Sequence, residues 1–240
     1  MILFSTSNAL SISKDIPKKA DKYIPLLHET TKNYFSTFPF PAYFGALIEH
    51  ESCISLKHSK CWNPKSQLYV KGKEQGVGFG QITRTWRNGK IRFDTLSELK
   101  RKYPRALKHL NWGNIKSKPK LQMTAVVLKW RDTFKRMPNV SFLTKVAFTD
   151  AAYNGGYGGL RKDRKLCGLR KGCDPKKWFN NVEKTCSKSK KVLYGRRSAC
   201  DINRHHVKDV LKTRASKYLD RWNKEFFDQK LLDKFMEVAN

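Results

Sequence analysis

Acidic residues and long apolar runs are both scarce in this chain. Only 20 Asp and Glu face 50 Lys and Arg over 240 residues, so the formal net charge is +30 at pH 7. No apolar run approaches the roughly 18 residues that a membrane-spanning helix needs, and we therefore expect no transmembrane segment. The apolar run at residues 1–4 is shorter than that of a typical secretion signal, and no basic residue precedes it.

Positive charge is spread along the whole chain. Residues 161–240 contain 23 basic against 10 acidic residues, and residues 1–160 contain 27 against 10. Such a surface attracts large polyanions by long-range electrostatics. Nucleic acid, anionic lipid and acidic cell-wall polymer all have the right sign, and a surface that is merely well solvated would have the same composition.

The six cysteines leave three interpretations open. Their short spacings suit three local disulfides, which are typical of proteins that work outside a reducing cytosol. Free buried thiols are the second interpretation. The third is a zinc site that includes the nearby His205 and His206, although no C-x2-C knuckle is present. The cysteines are Cys53, Cys61, Cys167, Cys173, Cys186 and Cys200.

The apolar spacing predicts a mainly helical chain with almost no strand signal. Thr95 and Glu98 form a capping-box signature, and Gly155-Gly156 are typical of a helix end. Residues 53–75 are predicted as a polar surface excursion with at most a strand pair, and the segment after Gly156 as a basic loop. The predicted helices cover residues 19–36, 42–52, 95–103, 121–137, 142–154, 175–184 and 207–222.

Three short motifs follow one another along the chain. A carboxylate ends a buried helix in ALIEHES, a glycine-rich turn with a glutamine follows in GVGFGQIT, and another buried helix closes in AAYNGG. The glycine-rich turn is not a P-loop, because no Gly-Lys-Ser/Thr ends it, and no strand–helix unit of the dinucleotide-binding kind surrounds it. Each motif alone is weak, and their order carries the argument.

In this order the motifs resemble those of the lysozyme-like lytic transglycosylases, the soluble lytic transglycosylase (SLT) family, and of the related goose-type lysozymes. The family's catalytic Glu-Ser pair is matched by Glu51-Ser52. Its G-x-x-Q turn is matched by Gly78-Phe79-Gly80-Gln81, and its A-Y-N motif by Ala152-Tyr153-Asn154. The resemblance covers roughly residues 40–222.

The resemblance implies a mainly α fold of the α+β lysozyme-like type. We expect one helical domain at residues 37–222, with a small irregular or β excursion between the catalytic Glu and the glycine-rich turn. Residues 161–200 would form a basic, cysteine-bearing insertion in this domain. Residues 1–36 are expected to be an N-terminal helical extension, and residues 223–240 a C-terminal extension.

The resemblance also implies cleavage of the β-1,4 bond between N-acetylmuramic acid and N-acetylglucosamine in peptidoglycan. Glu51 would act first as general acid and then as base, giving a 1,6-anhydromuramic acid end, and burial at the helix end would favour its neutral form. Glu49, about 200° round the helix, is the weaker candidate. Tyr153 is expected to position Glu51, and the predicted substrate contacts are Ser52, Gly78, Phe79, Gly80, Gln81 and Asn154. The glycines, which have no Cβ, would let the polysaccharide approach the backbone closely, and Asn154 would secure either the end of its helix or a sugar.

Glu74 opens a second possibility. Goose-type lysozymes carry an acidic residue just before their own glycine-rich turn, and Glu74 occupies the comparable place in KEQGVGFGQ. If Glu74 reaches the site, it would orient a water molecule, and the enzyme would be a hydrolysing muramidase. If Glu74 is instead a solvated loop residue, the predicted reaction remains transglycosylation.

The rival class is a non-catalytic cationic protein that binds the cell envelope or nucleic acid. Aromatic residues between basic ones, as in KKWF and DRWNKEFF, could stack on bases. We favour the enzyme, and with it a monomer without cofactor, metal ion or nucleic-acid partner, acting on glycan strands in the periplasm or cell wall. A phage lysin, a virion-associated enzyme and a secreted protein all fit this setting, and an anionic outer-membrane or wall surface would attract any of them.

Overall fold

Apolar residues at helical spacing dominate the chain, and the segments that carry them fold as helices. The computed structural model describes residues 16–221. None of the helices in this range is long and apolar enough to cross a bilayer. They are α1 (Lys18–Phe35), α2 (Tyr43–Ser52), α3 (Thr95–Lys102), α4 (Pro119–Lys135), α5 (Phe142–Gly155), α6 (Tyr157–Gly168) and α7 (Ala199–Lys208).

The centre of the fold is built by α2, α4 and α5, whose sequences are apolar on most sides. Trp130 of α4 packs on Tyr43 and Phe44 of α2, with ring centroids 4.8 and 5.4 Å apart. Helix α1 lies against α4 and buries Leu27 and Phe35 in the same core. The part of residues 1–36 that the structure describes therefore shares the main core.

The segment between α2 and α3 forms a four-stranded antiparallel sheet. Its strands are β1 (Gln67–Val70), β2 (Glu74–Val77), β3 (Ile82–Arg87) and β4 (Lys90–Asp94), and their order in the sheet is β1-β2-β3-β4. The fold is thus mixed α+β and mainly helical, as predicted. The sheet is larger than the predicted strand pair, because it continues through the glycine-rich turn and ends only at α3.

One sequence signal for this sheet was overlooked. Asn88 and Gly89 join β3 to β4, and both have positive φ, 51° and 74°. An Asn-Gly pair with two positive φ angles is typical of a tight hairpin turn. The start of α3 was also assigned to the wrong residue, because Asp94 rather than Thr95 caps it by accepting a hydrogen bond from the Ser97 N–H at 2.9 Å.

The region after α5 corrects two further predictions. The predicted basic loop contains α6, which buries Leu160, Asp163 and Cys167 at three- and four-residue spacing. The predicted helix at 175–184 is wrong, because only the short 3-10 turn Val182–Lys184 forms there. Two short strands, β5 (Val192–Tyr194) and β6 (Arg197–Ser198), then lead into α7.

The last predicted helix, 207–222, is not one regular helix. Helix α7 begins earlier than predicted, at a capping box between Ser198 and Asp201. It is followed by a π-helical segment, Asp209–Arg214, and a 3-10 segment, Ala215–Arg221. Trp222 and the predicted extension at 223–240 lie outside the described residues, as do residues 1–15.

The structure decides between the three interpretations of the cysteines. They form three local disulfides, Cys53–Cys61, Cys167–Cys173 and Cys186–Cys200. No free cysteine remains among residues 16–221, so the free-thiol and zinc interpretations are both wrong. The first disulfide follows α2 directly, and the third ties the chain to the first turn of α7.

The packing of α2 gives a testable expectation. An ideal Cβ built on Gly45 would lie 2.5 Å from a ring carbon of Tyr218. We expect Gly45→Ala to lower the free energy of unfolding by about 1–3 kcal/mol, since the ring or the helix must shift. The matched control is Gly158→Ala in α6, where a Cβ would meet nothing within 4 Å. Urea denaturation measures both variants, and equal loss of stability in the two would contradict this account.

Candidate active site

The last turn of α2 carries four consecutive polar residues, and each has its own partner. Glu49 is fully buried. Its Oε1 accepts a hydrogen bond from Lys217 Nζ at 2.6 Å and pairs with the Arg214 guanidinium, and its Oε2 accepts one from the Tyr218 hydroxyl at 2.6 Å. Two cations and a hydroxyl therefore compensate the buried Glu49 carboxylate, which has a structural role.

His50 is held by the π-helical segment. Its Nδ1 lies 2.6 Å from Oδ2 of Asp209, and Arg214 bonds to the same carboxylate. Burial alone would raise the pKa of Asp209, but the hydrogen bonds from His50 and Arg214 outweigh it and hold this pKa well below its usual range. The wider turn of a π-helix brings Asp209 and Arg214 to the same face of α2.

Glu51 is bonded to a buried histidine. His206 Nε2 lies 2.9 Å from Glu51 Oε1, and His206 Nδ1 lies 2.7 Å from Asp150 Oδ2. The other Asp150 oxygen accepts a hydrogen bond from the Tyr43 hydroxyl, which in turn accepts one from Trp130 Nε1 at 2.9 Å. A continuous chain of hydrogen bonds thus runs from Glu51 through α7 and α5 to the centre of the core.

The charge of His206 follows from its neighbours. Burial disfavours a charged imidazole, but the charges of Asp150 and Glu51 and their hydrogen bonds outweigh it and raise the pKa of His206 to about 10. At neutral pH the ring is therefore an imidazolium that donates from both nitrogens. Only 14% of the Glu51 side chain is exposed, and its carboxylate faces this cation on the protein side.

Ser52 is occupied within the fold. Its hydroxyl donates to the Ile48 carbonyl at 2.6 Å and accepts from the Trp62 N–H at 3.1 Å. The side chain is buried beside the Cys53–Cys61 disulfide. These contacts give Ser52 a structural role at the end of α2, and its contact with substrate stays a prediction.

The glycine-rich turn packs against the protein's own side chains. Gly78 has φ of 81°, and an ideal Cβ there would lie 2.1 Å from Gln122 Oε1. That oxygen accepts the Phe79 N–H at 3.0 Å, and Phe79 itself is fully buried against Tyr23 and Trp62. The close backbone approach that the glycines were expected to offer a sugar is here used at Gly78 by Gln122.

Gly80 and Tyr153 connect the second motif with the third. The Tyr153 hydroxyl donates to the Gly80 carbonyl at 2.9 Å, and an ideal Cβ on Gly80 would lie 2.6 Å from that hydroxyl. Burial, with the charges of Glu51 and Asp150, raises the pKa of Tyr153 well above its ordinary value. The charge of Glu51 therefore acts on Tyr153, but the Tyr153 hydroxyl bonds to the turn, and His206 is the residue bonded to Glu51.

Gln81 and Asn154 have partners of their own. Gln81 has φ of 44°, and its side-chain amide donates to the Gly78 carbonyl at 3.0 Å. Asn154 is exposed, and its side-chain oxygen accepts a hydrogen bond from Asn203 of α7 at 2.9 Å. Asn154 thus secures the end of α5, one of the two roles expected for it, while the substrate contacts of both residues stay predictions.

A cleft of about 550 Å³ opens between the sheet, α3, α4 and the end of α5. Tyr153 and Asn154 line it, and so does Glu74, the first residue of β2. Glu74 is therefore a strand residue on the cleft wall rather than a solvated loop residue. The other lining residues include Thr83, Thr85, Phe93, Glu98, Lys129, Asp132, Thr133, Arg136 and Tyr157.

Lys129 links Glu51 electrostatically with the cleft. Its ammonium lies 3.8 Å from the centre of the Tyr153 ring and donates to the Tyr153 carbonyl at 3.3 Å. Burial lowers the pKa of Lys129 to about 8, although the charges of Glu51 and Glu98 favour its protonated form. Lys129 lines the cleft, so Glu51 acts electrostatically on a residue of the cleft wall.

Sequence reasoning missed Asp150, His206 and Lys129. Asp150 had a visible signal, because it is a lone acidic residue within the apolar helix FLTKVAFTDAAYNG. His206 was noticed only as a zinc ligand, and its true partners lie 56 and 155 residues away in sequence. Lys129 gave no signal, since lysines are frequent throughout this chain.

The charge of His206 between Asp150 and Glu51 makes the free energy of unfolding depend on pH. Because His206 has a folded-state pKa of about 10 and an ordinary value of 6.5, its stabilising contribution is complete below about pH 6.5 and is lost as pH rises towards 10. The lowered pKa of Lys129 acts in the opposite direction. We therefore expect the stability difference between the wild type and His206→Gln to shrink over this range, as measured by urea denaturation at each pH. A constant difference would contradict the assigned charge state.

Residues 16–221 contain no group of three or more His, Cys, Asp or Glu side chains arranged to hold a metal ion. Neither a scan against protein-family models nor a search of curated proteins finds a match to this chain. The function therefore has to be argued from the geometry of the cleft and of the groups around Glu51.

Proposed function

We propose that this chain cleaves peptidoglycan as a lysozyme-like lytic transglycosylase. Its bond would be the β-1,4 link between N-acetylmuramic acid and N-acetylglucosamine, and its product a 1,6-anhydromuramic acid end. Glu51 would serve as general acid and then as base. A lysozyme-like fold is part of this proposal and is a more specific statement than the mixed, mainly helical architecture described above.

One observation carries the proposal: the three motifs, far apart in sequence, converge. The Tyr153 hydroxyl bonds to the Gly80 carbonyl, which joins the third motif to the second. The charge of Glu51 acts on Tyr153 and on Lys129, which joins the first motif to the third and to the cleft. Glu51 is not itself one of the residues that line the cleft, but it is a partly exposed carboxylate whose charge reaches the cleft wall, and a general acid needs such access to a bound substrate.

In the proposed reaction a single carboxyl group, that of Glu51, first donates a proton and then accepts one. Glu51 gives its proton to the glycosidic oxygen as the bond from that oxygen to C1 of the muramic acid breaks. The C6 hydroxyl oxygen of the same sugar then bonds to C1, and the Glu51 carboxylate takes the hydroxyl proton. No water is consumed, and Glu51 ends in the protonation state in which it began.

Hydrolysis is the second candidate, and the position of Glu74 favours it. A hydrolytic glycosidase uses a second carboxylate as nucleophile or to activate water. Glu74 lines the same cleft as Tyr153, and Glu98 does so as well. If Glu74 holds a water molecule at the muramic acid C1, the product would carry a reducing end.

The setting that we propose is the periplasm or cell wall. Three disulfides suit a compartment that is not reducing. A net charge of +30 favours association with anionic envelope polymers. The proposed reaction would be the same in a phage lysin, a virion enzyme or a secreted protein. It therefore implies neither the export route nor the biological source.

The non-catalytic alternative loses part of its basis. Trp178, the indole of the KKWF sequence, is buried against Phe148 and lies under the Arg204 guanidinium. A buried indole is not available to stack on a nucleotide base. The DRWNKEFF sequence lies largely outside the described residues.

The proposal predicts loss of activity in Glu51→Gln. We expect cleavage of purified peptidoglycan to fall by about 100-fold or more, because the amide can neither give nor take the proton. The matched control is Glu29→Gln, which removes a half-exposed carboxylate paired with Lys120 on α4. Release of soluble muropeptides measures both variants. A Glu51→Gln variant that stays fully active would exclude the proposed chemistry.

The identity of the product separates the two candidate reactions. We expect wild type and Glu74→Gln both to release muropeptides with 1,6-anhydro ends, 18 Da lighter than hydrolysis products because no water is added, as measured by mass spectrometry. Reducing ends that depend on Glu74 would instead establish the hydrolytic route.

A further inference from the structure

Two buried ionisable residues have no part in the reaction as proposed so far. Asp150 lies within α5 and has no exposed surface, and His206 of α7 is 1% exposed. Burying such groups is costly, and apolar residues of similar size often give equal or greater stability. The couple therefore calls for a reason beyond the packing of α5 against α7.

The hydrogen bonds of the couple are directed towards Glu51. Asp150 accepts from Tyr43 on one oxygen and from His206 on the other. His206 then has one nitrogen left, and that nitrogen bonds to Glu51 Oε1 at 2.9 Å. This is the one hydrogen bond to the Glu51 carboxylate within residues 16–221, and it leaves Oε2 for proton exchange with a substrate.

We propose that the Asp150–His206 couple positions the Glu51 carboxyl group and stabilises its ionised form between the two proton transfers. His206 is in this account a positioning residue, since it touches Glu51 and not the sugar. Tyr43 and Trp130 fix Asp150, which fixes the imidazolium, and the imidazolium fixes the rotamer of Glu51. The inference rests on the proposed role of Glu51 as acid and base.

His206 gives up no proton in either of the two proposed transfers. In the form that reacts, Glu51 carries a proton on Oε2, and the imidazolium donates to Oε1. When the proton passes to the glycosidic oxygen, a carboxylate forms 2.9 Å from the cation, and their attraction stabilises it. The C6 hydroxyl proton then returns to Oε2, and His206 has kept both of its protons throughout.

Other charged groups face the same couple. The His50 ring lies 4.3 Å from the His206 ring, centre to centre, and is itself paired with Asp209. On the cleft side, Lys129 and Tyr153 are the groups on which the charge of Glu51 acts. Lys129 also favours the ionised form of Glu51, so loss of His206 leaves part of the stabilisation in place.

The test compares kcat and KM over a range of pH in His206→Gln and in the double variant Asp150→Asn/His206→Gln. The double variant removes both charges of the couple, so no unpaired carboxylate is left at the fully buried position 150, and loss of catalysis can be separated from loss of folding. We expect kcat to fall about tenfold or more with little change in KM. The alkaline limb of the pH–rate profile should move to higher pH, because the general acid loses a neighbouring cation.

His205→Gln is the matched control. His205 precedes His206 on α7, is only partly buried and has no hydrogen bond to Glu51, so its profile should match the wild type. A folded double variant with the wild-type pH profile would overturn the inference. If Glu51→Gln is inactive in the same assay, the proposed function survives that result; if Glu51→Gln is active, the proposed function itself fails.

A second measurement avoids changes at the couple itself. Nitrogen NMR of histidine-labelled protein reports the protonation of the His206 ring in the wild type and in Glu51→Gln. We expect the titration midpoint of His206 to fall in the variant, because the ring loses one of its two anionic partners. An unchanged midpoint would show that the two groups are not coupled and would overturn the inference.

Discussion

The candidate site depends on charged contacts between the last turn of α2 and residues 206–218. Glu49 and Glu51 are acidic groups at the end of a buried helix, and a buried charge is tolerated only when it is compensated. Arg214 and Lys217 compensate Glu49, and His206 compensates Glu51. The chain after α7 must bring all these groups to one face of α2, and it does so by leaving regular α-helical geometry at Asp209.

Few acidic residues are present, and several of them lie inside the fold. Glu49, Asp150 and Asp163 have no exposed side-chain surface, and Glu74 and Glu98 line the cleft. Most of the basic residues in the described range are exposed. A cationic exterior and a cleft lined in part by carboxylates thus both follow from how the few acidic residues are distributed.

The glycine-rich turn shows how a motif can keep its place while its explanation changes. Its glycines suggested a floor on which a sugar could lie close to the backbone. In the fold, Gln122 occupies that space at Gly78, and Val126 and Tyr153 occupy it at Gly80. The glycines thus let the turn after β2 pack closely on side chains of α4 and α5.

The sequence alone determined the features that arise from neighbours along the chain. Apolar spacing located most helices, and short cysteine spacings included the true disulfide pairs. The roles that motif order predicts for Glu51, Tyr153 and Asn154 stay predictions. The sequence underestimated the sheet, because short half-exposed strands alternate weakly, and it missed α6 because glycines open that helix. Only the tertiary structure revealed His206 as the partner of Glu51, since 155 residues separate them. Local periodicity carries no information about which distant charges must meet when a core closes.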